Sequence, residues 1–193
     1  MSDDAEALYE LSRRGKLDKV QELLDRAIPP DAFMAYDGST ALVIAARGGH
    51  GKLVNLLVDR GAALHTHTDD GSSVLMHAVS GGSAEAVNVL LAARTDPNET
   101  NEDGVTPLIL AGDNGIVEVA RLLVEANADV GVISEGWGSA LDSARAAGHE
   151  TMVQFLEASG AHGNHGQHQS TGERKIAAGE RWGYDAFDGE KDY

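Results

Sequence analysis

Apolar residues in this chain fall in short bursts of helical spacing that return at a fixed interval. In Lys52-Leu53-Val54-Asn55-Leu56-Leu57-Val58 the aliphatic side chains recur at i, i+3 and i+4, which predicts a helix with one buried stripe. The run Ala41-Leu42-Val43-Ile44-Ala45-Ala46 just before it predicts a shorter first helix. The pair then repeats. Leu42, Leu75, Leu108 and Leu141 are each 33 residues apart, and so are Ala45, Ala78, Ala111 and Ala144. Gly49, Gly82, Gly115 and Gly148 hold the same interval, as do Leu24, Leu57, Leu90, Leu123 and Leu156. Four independent columns in one register make this a repeat protein, whose units bury their apolar faces on one another. The leucine column carries the register back to Leu24, whereas Lys16 stands in the glycine column with Gly15 one residue early.

Between the helix pairs the chain signals tight turns. Asp37-Gly38, Asp70-Gly71 and Asp103-Gly104 open three units; glycine supplies a positive φ and aspartate bonds its own backbone. Two residues on stand Thr40, Ser73 and Thr106, with Ser139 in the same column of the next unit. A hydroxyl there is placed to cap the first helix, and Pro107 then suits the first helical position, where an amide hydrogen is not needed. The first unit lacks the turn. Tyr9 falls in its leucine column and Ser12 in its alanine column. Its second helix, 19–26, has Val20, Leu23 and Leu24 inside and a polar exterior that suits an N-terminal cap, and Pro29-Pro30 ends it.

The unit resembles the ankyrin repeat, most closely from Asp103-Gly104-Val105-Thr106-Pro107-Leu108 to Ala128-Asp129. The resemblance covers about residues 5–161. It implies an all-α ankyrin-repeat solenoid of about five helix-turn-helix units within 1–161: a cap at 5–35 and repeats at about 36–68, 69–101, 102–134 and 135–161. A flexible tail, 162–193, would follow. The chain departs from the family pattern in three places. The family's T-P-L-H histidine is replaced by Val43, Met76, Ile109 and Asp142, which removes its usual bond between loops. Arg94 stands where Gly61 and Gly160 stand, a site the family often holds left-handed. Gly136-Trp137 replaces Asp-Gly in the last unit.

The resemblance also implies the binding surface: a concave face of turn tips and first helices, where the family binds partners. Carried over by register, the tips comprise Met34, Tyr36, Asp37 and Ser39, then His67, Asp69, Asp70 and Ser72. They continue with Thr100, Glu102, Asp103 and Val105, and end with Ile133 and Glu135 beside Trp137. Arg47, Ser80, Asp113 and Asn114 are the helix-side positions. The partner contacts expected from this set are Tyr36, Ser39, Asp69, Ser72, Glu102, Val105, Asp113, Glu135 and Trp137. Asp37, Asp70 and Asp103 are expected to hold their own turns instead.

Charge sharpens the expected partner. Lys plus Arg number 15 and Asp plus Glu 31, a net charge of -16. With a pI near 4.7 the chain is a poor candidate for nucleic acid or an anionic membrane, both of which need a basic surface. An acidic groove selects a basic protein segment. Hydrophobic residues make up 42% but aromatic residues only 5%, so the core is aliphatic. There is no cysteine, which excludes disulfides and Cys-ligated zinc. His162, His165 and His168, like His65 and His67, lack a fixed ligand set for a metal, and no cofactor is expected. His50 and His149 follow the repeat glycine, as is common in the family, and His77 is expected to face the groove. Gly81-Gly82 and Gly136-Trp137-Gly138 lack the lysine and strand of a phosphate loop, and no Ser-His-Asp set can be assembled. Binding rather than catalysis is therefore expected. The start Met1-Ser2-Asp3-Asp4 is unlike a signal peptide, which points to cytoplasm or nucleus, or to an organelle if a targeting segment has been removed.

The repeat pattern stops after Ala161. The remaining segment nevertheless holds Trp182, Tyr184, Phe187 and Tyr193, four of the nine aromatic residues of the chain. Aromatic side chains dominate binding hot spots, so Trp182, Tyr184 and Phe187 are read as a docking motif. The alternatives are a cap on the last repeat or a spectator end. An adaptor or regulator binding a basic segment is the leading expectation. An accessory subunit of a larger assembly, anchored by repeat surface and tail, is the alternative.

Overall fold

The computed structural model describes residues 2–163. Among these residues ten helices form five antiparallel pairs stacked side by side. The first helices are α1 (Ser2–Arg13), α3 (Ala41–Arg47), α5 (Val74–Ser80), α7 (Pro107–Asn114) and α9 (Ala140–Ala147). The second helices are α2 (Leu17–Asp25), α4 (Gly51–Asp59), α6 (Ala84–Ala92), α8 (Val117–Glu125) and α10 (Glu150–Ala158). First helices pack on neighbouring first helices, and second on second. Sheet among the described residues is confined to the turns. Strands β1 (Ile133–Ser134) and β2 (Gly138–Ser139) pair antiparallel, and single bridges join Met34 to Thr40 and His67 to Ser73.

The periodic columns are the core. Leu42, Leu75, Leu108 and Leu141 are buried, as are Ala45, Ala78, Ala111 and Ala144 and the later leucines Leu57, Leu90, Leu123 and Leu156. Small residues at the alanine column let successive first helices approach closely. Gly81 and Gly112 carry this furthest: a Cβ on Gly81 would lie 2.8 Å from the Arg47 carbonyl, and one on Gly112 would strike the Ala140 carbonyl. Each expected cap is formed. Thr40, Ser73, Thr106 and Ser139 accept from the backbone amides of Val43, Met76, Ile109 and Asp142. Asp142 returns the bond, accepting from the Ser139 amide at 2.9 Å and closing a capping box.

The first unit corrects the register. Gly15 and Gly49 both have positive φ and lie 34 residues apart, as do the starts of α2 and α4, Leu17 and Gly51. Leu8, not Tyr9, therefore stands where Leu42 stands, and Leu23, not Leu24, matches Leu57. Leu8 is buried, whereas Tyr9 lies half-exposed with its ring centroid 5.1 Å from that of Phe33. The extra residue is in the linker: seven steps separate left-handed Ala27 from Met34, against six from Gly61 to His67. Pro29-Pro30 occupies that longer connection, where no regular hydrogen bonding had to be kept. Arg94 adopts φ +66°, with Ala27 and Asn127 the other non-glycine residues at positive φ among the described residues.

Candidate protein-binding surface

Each turn projects a short arm from its unit, and two rows of side chains run along the arm tips. One row is Tyr36, Asp69, Glu102 and Glu135; the other is Met34, His67, Thr100 and Ile133. All eight are exposed. Within each arm the two members are i and i+2, so in an extended backbone they share a side.

Backbone hydrogen bonds join the arms to one another. The Asp69 amide donates to the Asp37 carbonyl at 3.1 Å, and the Glu102 amide to the Asp70 carbonyl at 3.2 Å. At the next junction the Ser134 hydroxyl donates to the Asp103 carbonyl at 2.8 Å. The tips are thus a fixed surface, and an ordered surface loses less entropy on binding.

Each arm is also held internally. Asp37 accepts from the Ser39 amide at 3.0 Å and the Ser39 hydroxyl at 2.8 Å; Asp70 accepts from the Ser72 amide at 3.1 Å and hydroxyl at 2.9 Å. Ser39 and Ser72 are therefore buried beneath their turns, and Val105 is fully buried in the same column. These three are corrected from expected partner contacts to supports of the tips. The residue after the turn glycine is buried under the arm, where a serine hydroxyl bonds the turn aspartate and the Val105 methyl groups join the core.

The fourth unit solves the same problem differently. Val105 has no hydroxyl, and Asn101 takes over: its side-chain oxygen accepts from the amides of Asp103 at 3.1 Å and Val105 at 2.9 Å. Asp103 is left exposed, with no side-chain hydrogen bond or ion pair among the described residues. It is a missed member of the acidic set. The hydroxyl-bearing residue at 39 and 72, and its loss at 105, was the signal that could have found it.

His77 is corrected too. It is buried (1% exposed) rather than facing the groove, and its Nε2 lies 3.0 Å from the Thr68 hydroxyl. That hydroxyl donates to Asp70 at 2.5 Å, so the imidazole Nε2 must carry the hydrogen toward it. The third arm is thereby tied to its own first helix by a histidine one position later than the family pattern, which offsets the missing family histidine in that unit. Burial pushes the His77 pKa down to about 4; the Arg47 charge adds to this, and Asp70 and Asp37 oppose it. Burial works to raise the carboxyls of Asp37 and Asp70, but their hydrogen bonds prevail and hold both below the usual value. Those bonds come from Ser39 for Asp37, and from Thr68 and Ser72 for Asp70; the Arg47 charge helps at Asp37 and His77 at Asp70.

The remaining expected contacts are dispersed. Asp113 is half-buried on α7, and its carbonyl accepts from His149 Nε2 at 2.8 Å across the unit boundary. Trp137 is partly buried against the core, its carbonyl accepting from the Ser143 hydroxyl at 3.2 Å. Arg47 leans on the second arm, 3.7 Å from Asp37. Asn98 ties two connections together, accepting from the Asp129 amide at 2.7 Å and donating to the Asn127 carbonyl at 3.2 Å. Trp182, Tyr184 and Phe187 lie outside the described residues. Among the described residues no helix is long and apolar enough to cross a membrane, and no group of three or more metal-ligating side chains comes together.

Stacked helix pairs with outward arms define a repeat solenoid. The chain belongs to the ankyrin-repeat family: it matches the family model for ankyrin repeats (3 copies) over residues 6–101 and 75–166. No curated protein matches the sequence. Ankyrin repeats are protein–protein interaction modules, typically without enzymatic activity of their own.

Proposed function

We propose that this chain is an adaptor or regulator that binds a basic protein segment along its arm tips. The observation that carries this is one set of carboxylates: Asp69, Glu102, Asp103 and Glu135 are exposed on three consecutive arms, and no side-chain bond among the described residues engages them. Carboxylates already tied into turns, such as Asp37 and Asp70, have less to offer a partner. A row of free ones on a rigid frame attracts cations without first breaking internal bonds.

Fluorescence anisotropy with a labelled Lys/Arg-rich peptide tests this, against a Glu-rich peptide of equal length. The basic peptide should bind, and Asp69→Lys, Glu102→Lys and Glu135→Lys together should abolish the preference. The wild-type affinity should fall with added salt, because exposed charges are screened beyond roughly 8 Å at physiological ionic strength. Binding that ignores both the reversals and the salt removes the proposal. The accessory-subunit alternative rests on Trp182, Tyr184 and Phe187, and no observation among the described residues favours it.

A further inference from the structure

The exposed large hydrophobic side chains among the described residues are Met34 at 65%, Tyr36 at 102% and Ile133 at 52%. Single exposed apolar residues are ordinary when scattered over a surface. These are not scattered. All three are arm-tip residues on the outermost arms: Met34 and Ile133 are the two ends of one row, and Tyr36 begins the row that continues with Asp69, Glu102 and Glu135. Met34 and Tyr36 share the second arm, and Ile133 is on the fifth. Between them the corresponding positions are His67 and Asp69, then Thr100 and Glu102, all polar.

We infer that the partner segment is extended, with basic residues at its centre and a large apolar side chain at each end. The inference rests on the proposed binding of a basic segment to the tips, and adds the pattern that segment carries. Met34 and Tyr36 take one apolar end and Ile133 the other, while Asp69, Glu102 and Asp103 face the basic centre. Packed helices stand roughly 8–10 Å apart, so three unit steps span roughly 24–30 Å. An extended chain rises about 3.3 Å per residue, so the two apolar anchors are about seven to nine residues apart. Charge complementarity favours this occupant over a second copy of the chain, whose net charge of -16 opposes its approach to an acidic row.

The test uses the full chain and three synthetic peptides of about a dozen residues with lysines at the centre. The first has leucines spaced about nine residues apart at its ends, the second has serines there, and the third has its leucines about four apart. The first should bind at least about fivefold more tightly than the others, as expected of apolar anchors seated at hot spots. That advantage should vanish in Met34→Ser/Tyr36→Ser and shrink in Ile133→Ser. Equal affinity for the first two peptides, or an advantage that survives these substitutions, overturns the inference. If charge reversal at Asp69, Glu102 and Glu135 still weakens all three peptides in that case, the basic-segment reading stands without the anchors. If charge reversal does nothing, that reading has failed instead. Sedimentation of the free protein supplies the last arm: a dimer that Met34→Ser/Tyr36→Ser converts to monomer would assign the apolar tips to self-association and overturn the inference.

Discussion

His77 should make this protein acid-sensitive in a way one substitution can remove. Its imidazole is buried, hydrogen-bonded to Thr68, and held at a pKa of about 4 against an ordinary 6.5. Between those values the unfolded chain binds a proton at His77 and the folded chain does not, so stability rises with pH across that window. The contribution is complete above pH 6.5, declines as pH falls and is lost by about pH 4. A shift of this size corresponds to about 3 kcal/mol in all, of which about 2 kcal/mol separates pH 8 from pH 5. Asp37 and Asp70 have depressed carboxyl pKa values, so their contributions persist above the ordinary 3.8 and do not enter that interval. The matching positions in neighbouring units are Ile44 and Leu110, both buried, so His77→Leu places a tolerated residue in the slot. Thr68 keeps Asp70 as its acceptor in the variant. Urea unfolding of both proteins at pH 8 and pH 5 measures the effect. The wild type should lose about 2 kcal/mol more than His77→Leu over this range. Equal losses in the two proteins would refute the argument, whatever their absolute stabilities.

Three further outcomes are expected. Arg94→Gly relieves a left-handed arginine, which costs about 1–2 kcal/mol, but loosens the unfolded chain by about 0.4–1 kcal/mol; a net gain of about 0.5–1 kcal/mol should appear in denaturant unfolding. Gly81→Ala drives a methyl group into the Ala46 and Arg47 carbonyls, where no flexible side chain can give way, and should cost about 1–3 kcal/mol by the same measurement. Trp182→Ala with Phe187→Ala should weaken partner assembly while leaving the melting temperature of the isolated protein unchanged; a lowered melting temperature would make the tail a cap on the last repeat.

Much of this was legible in the sequence because a repeat restates its rule. One leucine proves little, but Leu42, Leu75, Leu108 and Leu141 at one spacing state which side chains are inside, and the structure buries all four. Caps were legible for the same reason. A hydroxyl beside the first helical turn bonds a nearby amide, and Thr40, Ser73, Thr106 and Ser139 all do so. The left-handed conformation of Arg94 followed from the glycines in its column.

What periodicity could not determine is where each arm places its individual side chains. Ser39, Ser72 and Val105 share a column with no helical stripe to reveal their burial, and only the arm's fold onto the core decides it. The freedom of Asp103 depends on Asn101 accepting the turn's amide bonds in its place, an exchange between different columns. His77 lies in a sequence position that could face either water or core, and in the fold it is buried, with Thr68 linking its ring to Asp70. The one-residue slip of the first unit was equally hidden, since both Leu23 and Leu24 are buried and either continues the column. Local sequence determined the helices, their caps and the repeat register from Gly49 to Gly148. Which arm-tip side chains are left exposed and unbonded was decided by tertiary packing, because a turn residue stays free only when no nearer group in the folded chain has claimed it.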